Sequence, residues 1–294
     1  MASAQSRGPG GSVMVGGARV SWIWPGSQRC GAPRPASLPP GSAVGVVFFL
    51  HGRGNRAADM ITHAAAAAEL GLLAVFADQA NHGARELSPF NNRAWEQENW
   101  AHACDMYGQM VQAANELSLQ IGLLPALLDV AFKRVAVVGI SQGGHAALLA
   151  ATAEPRIDVC VAIIGSADYE QNLRSRYERL CNLFAKEGRP NVPTFESLFP
   201  AGLAKLVASF DPIRNGARLA AGTRPILMLN GGNDALVPKE GNVALVEQIA
   251  PLYEAAGVPS HLRCVIFPDA GHEVTADMQL EVRDWLGVHM RQQQ

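Results

Sequence analysis

The sequence predicts an α/β fold in which helices cover both faces of a mostly parallel sheet. Three observations predict it. Apolar, β-branched runs alternate with helical segments at least five times along the 294 residues, the pattern of strands joined by crossover helices. Several of these runs are continuously apolar, as expected of strands buried on both faces. The residues with chemical potential fall just after the strands, at the edge where a parallel sheet places its ligands.

Each element follows from its own stretch. Residues 1 to about 11 are rich in Gly, Ser and Ala and are expected to be disordered. Val13 to Trp24 is β-rich with loose alternation and reads as an edge strand or hairpin. The proline-rich stretch from Gln28 to Gly41 reads as a surface connection. Ala43 to Leu50 is a buried strand ending in His51-Gly52-Arg53-Gly54. An alanine-rich helix over 57–70 leads to a strand over 72–77 and the turn Asp78-Gln79-Ala80-Asn81-His82-Gly83, in which His82 reads as structural. A long helical region runs from Glu96 to about Leu124, with Trp95 and Trp100 at its start as candidate pocket walls. Val135 to Val138 is a central strand, and the alanine- and leucine-rich stretch from His145 is a packed helix. Further strands are expected at 157–165, 225–230 and 262–267, with an amphipathic closing helix over 274–289. The domain then spans 12–294. Residues 166–212 lack strand signals and are expected to form a small cap. Its apolar members, among them Phe195 and Phe199, would face the site, and its charged ones, among them Arg176 and Arg179, would face solvent.

Composition narrows the function classes. The chain is 48% apolar, enough for a large core, and 24 Lys+Arg nearly balance 26 Asp+Glu. The absence of a basic stripe argues against nucleic acid as a partner. No apolar run approaches the ~18 residues of a membrane span. The five cysteines are odd in number and scattered without C-x-x-C spacing, which argues against disulfides and zinc and predicts small buried hydrophobes. Met1 to Gly11 carries no charged-then-apolar leader, so a cytoplasmic location is expected. The expected partner is a small molecule, and a homodimer is left open.

The chemistry centres on Gly139-Ile140-Ser141-Gln142-Gly143, which reads G-x-S-x-G between a strand and a helix. Such a turn exposes a serine hydroxyl at the start of a helix, where free N–H groups favour negative charge. A serine is a poor nucleophile without an adjacent base. His272 in Ala270-Gly271-His272 supplies one, and Asp234 in Gly231-Gly232-Asn233-Asp234 supplies the carboxylate that orients it. Asp269 is the competing acid, but it lies too close in sequence to His272 and reads as a turn residue. The backbone N–H groups of Arg53 and Gln142 are the candidate oxyanion hole.

Together these motifs make residues 43–294 resemble the α/β-hydrolase family. The segment Gly231-x-x-Asp234-x-x-Val237-Pro238, with Asp211-Pro212 upstream, is similar to the prolyl-oligopeptidase-like and dienelactone-hydrolase-like branch. Position 141 departs from the dienelactone hydrolases in being serine. The resemblance implies a hydrolase that works through an acyl-serine intermediate, with no cofactor and no metal. The leading expectation is a serine esterase acting on small to medium soluble carboxylic esters. An aminopeptidase or acyl-peptide hydrolase is the second reading, weakened by the absence of an evident acidic pair for a substrate amine. A non-catalytic ligand-binding member of the fold is the third, disfavoured by the intact Ser141, Asp234 and His272.

Overall fold

The computed structural model describes residues 11–189 and 192–290. The expected disordered start therefore lies outside the described residues, apart from Gly11. Eight strands form one sheet: β1 (Ser12–Val15), β2 (Ala18–Ile23), β3 (Ser42–Leu50), β4 (Leu73–Ala77), β5 (Val130–Ile140), β6 (Val159–Ile163), β7 (Ile226–Gly231) and β8 (Leu262–Phe267). The helices are α1 (Ile61–Glu69), α2 (His102–Leu128), α3 (Gln142–Ala153), α4 (Tyr169–Lys186), α5 (Phe195–Leu198), α6 (Ala201–Phe210), α7 (Gly216–Leu219), α8 (Glu240–Ala255) and α9 (Ala276–His289). The sheet order is β1-β2-β4-β3-β5-β6-β7-β8. Pairings β1/β2 and β2/β4 are antiparallel, and the rest are parallel.

The continuous apolar runs feed two cores. In β3, Val46, Phe48 and Leu50 join one cluster, while Val47 and Phe49 join the other. In β5, Val135 and Val137 part from Ala136 and Val138 in the same way. Successive side chains of a strand point to opposite faces, so a sheet covered on both faces needs apolar residues at every position. Helices α2, α3, α4 and α8 pack on the first face, and α1 and α9 on the second. Register then brings the functional loops to one edge. Leu50 pairs with Gly139, Ile140 with Ile163, and Gly231 with Phe267, so the chain leaves these strands at a common level.

Several elements differ from the sequence reading. Helix α2 starts at His102; Trp95–Gln97 forms a 3₁₀ turn, closed by Glu98 at φ 63°. Trp95 is fully buried, and Trp100 packs edge-on to Phe184 at 6.1 Å, so both tryptophans are packing residues. Helix α8 carries Pro251 in its interior, which masks it as a helical pattern. Of the cysteines only Cys160 is buried; Cys30 and Cys104 are exposed, and all five are free. No helix among the described residues is long and apolar enough to cross a membrane.

Within 166–212, Phe195 and Phe199 stack at 5.5 Å and are buried in the first core. Arg176 is 8% exposed, against the outward placement expected of it, because it is bonded through two nitrogens to the Glu96 carboxylate. The base of the segment is held by the Tyr169 hydroxyl, which donates to the Ala103 carbonyl at 2.7 Å, and by the Asp211 carboxylate, which accepts from the Tyr169 N–H at 2.9 Å.

Two glycines test the packing in opposite directions. A Cβ on Gly143 would sit 2.1 Å from the Leu50 carbonyl oxygen, whereas one on Gly108, in α2, would meet nothing within 4 Å. Gly143→Ala is expected to cost at least about 3 kcal/mol or abolish folding. Gly108→Ala should stabilise by about 0.5–1 kcal/mol. Urea unfolding of the two variants checks this, and a tolerated Gly143→Ala would contradict the close approach described below.

Candidate active site

Ser141 stands between β5 and α3 with φ 55° and ψ −117°. A non-glycine residue there carries backbone strain on the order of 1–3 kcal/mol, which its surroundings must hold. They do so through the Ser141 N–H, which donates to the Ile163 carbonyl at 2.8 Å, and through the His145 N–H, which donates to the Ser141 carbonyl at 3.1 Å. The turn closes only because Gly139 and Gly143 lack side chains: a Cβ on Gly139 would lie 1.9 Å from the Gly143 carbonyl oxygen.

Three side chains from three loops meet at this turn. The Ser141 Oγ lies 2.9 Å from His272 Nε2, and His272 Nδ1 lies 2.7 Å from Asp234 Oδ2. Asp234 is 5% exposed. Its other oxygen accepts from the N–H groups of Leu236 and Val237, each at 2.9 Å. This bonding fixes the carboxylate against Nδ1 of the ring and turns Nε2 toward the serine hydroxyl. Asp269 is exposed and hydrogen-bonds neither His272 nor the serine. The loops carrying Asp234 and His272 touch backbone to backbone: the Asn233 N–H donates to the Ala270 carbonyl at 2.9 Å, and a Cβ on Gly231 would collide with the Gly271 oxygen at 2.3 Å.

A cavity of about 350 Å³ opens at the serine. Gly52, Arg53, Ser141 and His272 line it with Met60, Ile164 and Val274, and Asp59, His63 and Glu273 also border it. Sequence reasoning placed Gly52 and Arg53 here. It missed Met60, His63 and Ile164, which nothing in their neighbourhoods marks. Ile164 has φ 45°, a second strained position on the same wall. No described residue of 166–212 lines this cavity, so Phe195 and Phe199 do not form its walls. Gln142 opens α3, where its backbone N–H has no intrahelical acceptor. Its side-chain amide donates to Gln109 Oε1 at 3.0 Å.

Comparison with known proteins bears on the fold. The family model described as "Alpha/beta hydrolase family" matches residues 47–285. The chain belongs to the α/β-hydrolase family. No curated protein sequence matches it. Among solved structures, TT1662 from Thermus thermophilus is similar with a TM-score of 0.69 at 18% identity, over 97% of this chain and 98% of that one. The Pyrococcus furiosus esterase Pf2001 gives 0.57 at 15% identity, over 95% and 92%. Porphyromonas gingivalis dipeptidyl peptidase 4 gives 0.60 at 14% identity, over 93% of this chain but 34% of that one. At such identities the likeness is one of fold.

Two buried histidines support the site of this α/β hydrolase without entering it. His51 donates from Nδ1 to the Gly52 carbonyl at 2.8 Å and accepts the Gln79 N–H on Nε2 at 3.0 Å, which ties the 51–54 loop to the end of β4. Its ring meets that of His82 at 5.1 Å. Burial pushes the His51 pKa down to about 4. His145, under the serine turn and edge-on to Tyr169, is likewise pushed down to about 4 by burial.

The sign for stability follows. In the unfolded chain these rings titrate near an ordinary value of about 6.5. Between about pH 6.5 and 4 the unfolded chain therefore binds protons that the folded chain refuses. Stability is unaffected above this window and falls as pH drops through it, by about 2–3 kcal/mol per pH unit for the two groups together. Urea unfolding at pH 7.5, 6.0 and 5.0 measures the slope, and a flat response would show that these rings are not held neutral.

Proposed function

We propose that this α/β hydrolase cleaves carboxylic esters of small to medium soluble substrates through an acyl-serine intermediate. The observation that carries the reading is the unbroken Asp234–His272–Ser141 chain, at 2.7 and 2.9 Å, ending at an open cavity. His272 Nε2 takes the hydroxyl proton as Ser141 Oγ attacks the substrate carbonyl. Asp234 stabilises the resulting imidazolium. The N–H groups of Gln142 and Arg53 receive the oxyanion of the tetrahedral intermediate. His272 returns its proton to the departing alkoxide, leaving the acyl group on Ser141. Water then repeats the sequence in the second half and releases the acid.

Amide or peptide cleavage is the second reading. The observation that favours it is the pair of carboxylates, Asp59 and Glu273, on the cavity rim, where a substrate amine would need them. Asp59 is already engaged, accepting from the Arg56 N–H and the Asn55 amide at 3.0 Å each, which favours the ester. Parallel assays with 4-nitrophenyl esters and aminoacyl 4-nitroanilides decide between the readings.

A fluorophosphonate probe should label Ser141, and Ser141→Ala should abolish labelling while leaving the circular dichroism spectrum unchanged. Turnover should fall by roughly 10⁴-fold or more. Near-wild-type turnover in purified Ser141→Ala would end the proposal. Asp234→Asn should cost on the order of 10³–10⁴-fold in kcat through the wrong imidazole tautomer. Asp269→Asn should change kcat by less than a few-fold, and the reverse ranking would reassign the acid.

A further inference from the structure

Beside the triad lies a group of charges that the acyl-transfer chemistry does not use. Arg53 lines the cavity with Ser141 and His272. Among the described residues no carboxylate lies within salt-bridge distance of its guanidinium; the side chain's hydrogen-bond contact is one nitrogen, 3.2 Å from the ring of His102. His102 is fully buried, and burial followed by the Arg176 and Arg53 charges holds its pKa well below the ordinary value, so it is neutral and supplies no negative charge. The Arg176 charge bears on Arg53, and Arg179 follows Arg176 by three residues on the same face of α4. Arg179 donates to the Ser175 carbonyl at 3.1 Å, and its other terminal nitrogen is buried without a partner. Glu96 is the carboxylate that answers these cations, and both its oxygens are taken by Arg176. Asp234 faces Arg179 but is committed to His272. Glu178 is exposed on the same helix, and Asp59 and Glu273 are exposed at the rim.

Three guanidinium groups thus share the Glu96 carboxylate, and Arg53, the member with no carboxylate within salt-bridge distance, is a residue that lines the nucleophile's cavity. A partly buried cation is costly unless an anion reaches it. Burial and the facing Arg176 charge lower the Arg53 pKa to about 10, as expected of a cation still lacking one. We propose that Arg53, reinforced by Arg176 and Arg179, binds a carboxylate on the substrate, so that the preferred esters carry a free acid group beside the scissile bond. A guanidinium fork matches the two oxygens of a carboxylate. This rests on the hydrolase reading for its substrate class but not for its binding site.

The test compares mono-4-nitrophenyl glutarate with 4-nitrophenyl pentanoate, which differ chiefly in the terminal carboxylate. Wild-type protein should favour the glutarate in kcat/KM by about 10- to 100-fold, mainly through KM. Arg53→Gln and, separately, Arg179→Gln should pull that ratio toward one. Calorimetric titration with free glutarate should show binding to wild-type protein that weakens by at least about tenfold in Arg53→Gln. A wild-type ratio at or below one, or glutarate binding unchanged in a folded Arg53→Gln, overturns the anion site while leaving the hydrolase reading standing. Glutarate binding that depends on Arg53 in a protein that turns over neither ester and resists fluorophosphonate does the reverse. If Arg53→Gln does not fold, the wild-type ratio and the Arg179→Gln variant decide.

Discussion

Everything in the site hangs on one steric constraint, the contact of the turn after β5 with the end of β3. The α-carbon of Gly143 stands against the Leu50 carbonyl, with no room for a methyl group. That approach lets α3 return across the sheet, and it holds Ser141 at a positive φ that an unconstrained serine avoids. The same contact brings the 51–54 loop beside Ser141: a Cβ on Gly52 would lie 3.5 Å from the Ser141 Cβ. Strain at the serine and placement of the neighbouring loop are thus two results of one packing choice.

The parallel sheet turns this local geometry into a site. Because β3, β5, β6, β7 and β8 run in parallel and end in register, the loops that follow them open at one edge. Backbone contact between the Asn233 and Ala270 loops then sets the 2.7 Å bond from His272 to Asp234. Few side chains are needed to position Ser141, His272 and Asp234, because two cores hold the strands and the strands hold the loops. The supporting histidines His51 and His145 are buried and neutral, and both ring nitrogens of His51 are hydrogen-bonded to backbone. The arginine group differs in kind: its charge exceeds what its protein partners offset, and it adjoins the cavity that a substrate must occupy.

Much of the strand content and the meeting of Ser141, His272 and Asp234 was legible in the sequence; the walls and the electrostatics around them were not. Strands buried on both faces announce themselves as unbroken apolar runs such as Val135 to Val138. The glycines around Ser141, and those preceding Asp234 and His272, mark turns whose purpose is close approach. Helix α8 escaped notice because Pro251 interrupts its period, and the exposed Cys30 and Cys104 contradict a rule that holds for cysteines on average. Phe195 and Phe199 were expected at the substrate and instead pack against each other and the core, since apolar character says that a residue is buried but not where.

By itself the sequence determined which residues form strands, which turns must be tight, and which serine, carboxylate and imidazole stand at strand ends. These are matters of local pattern: periodicity, chain reversal and the chemistry of a few side chains. Only the tertiary structure decided that Arg176 turns inward to Glu96, that Arg53 lines the serine's cavity without a carboxylate partner, and that the cavity is walled by α1 and the loops rather than by the described residues of 166–212. Charges far apart in the chain affect one another only through distance and burial, and neither exists until the fold has formed.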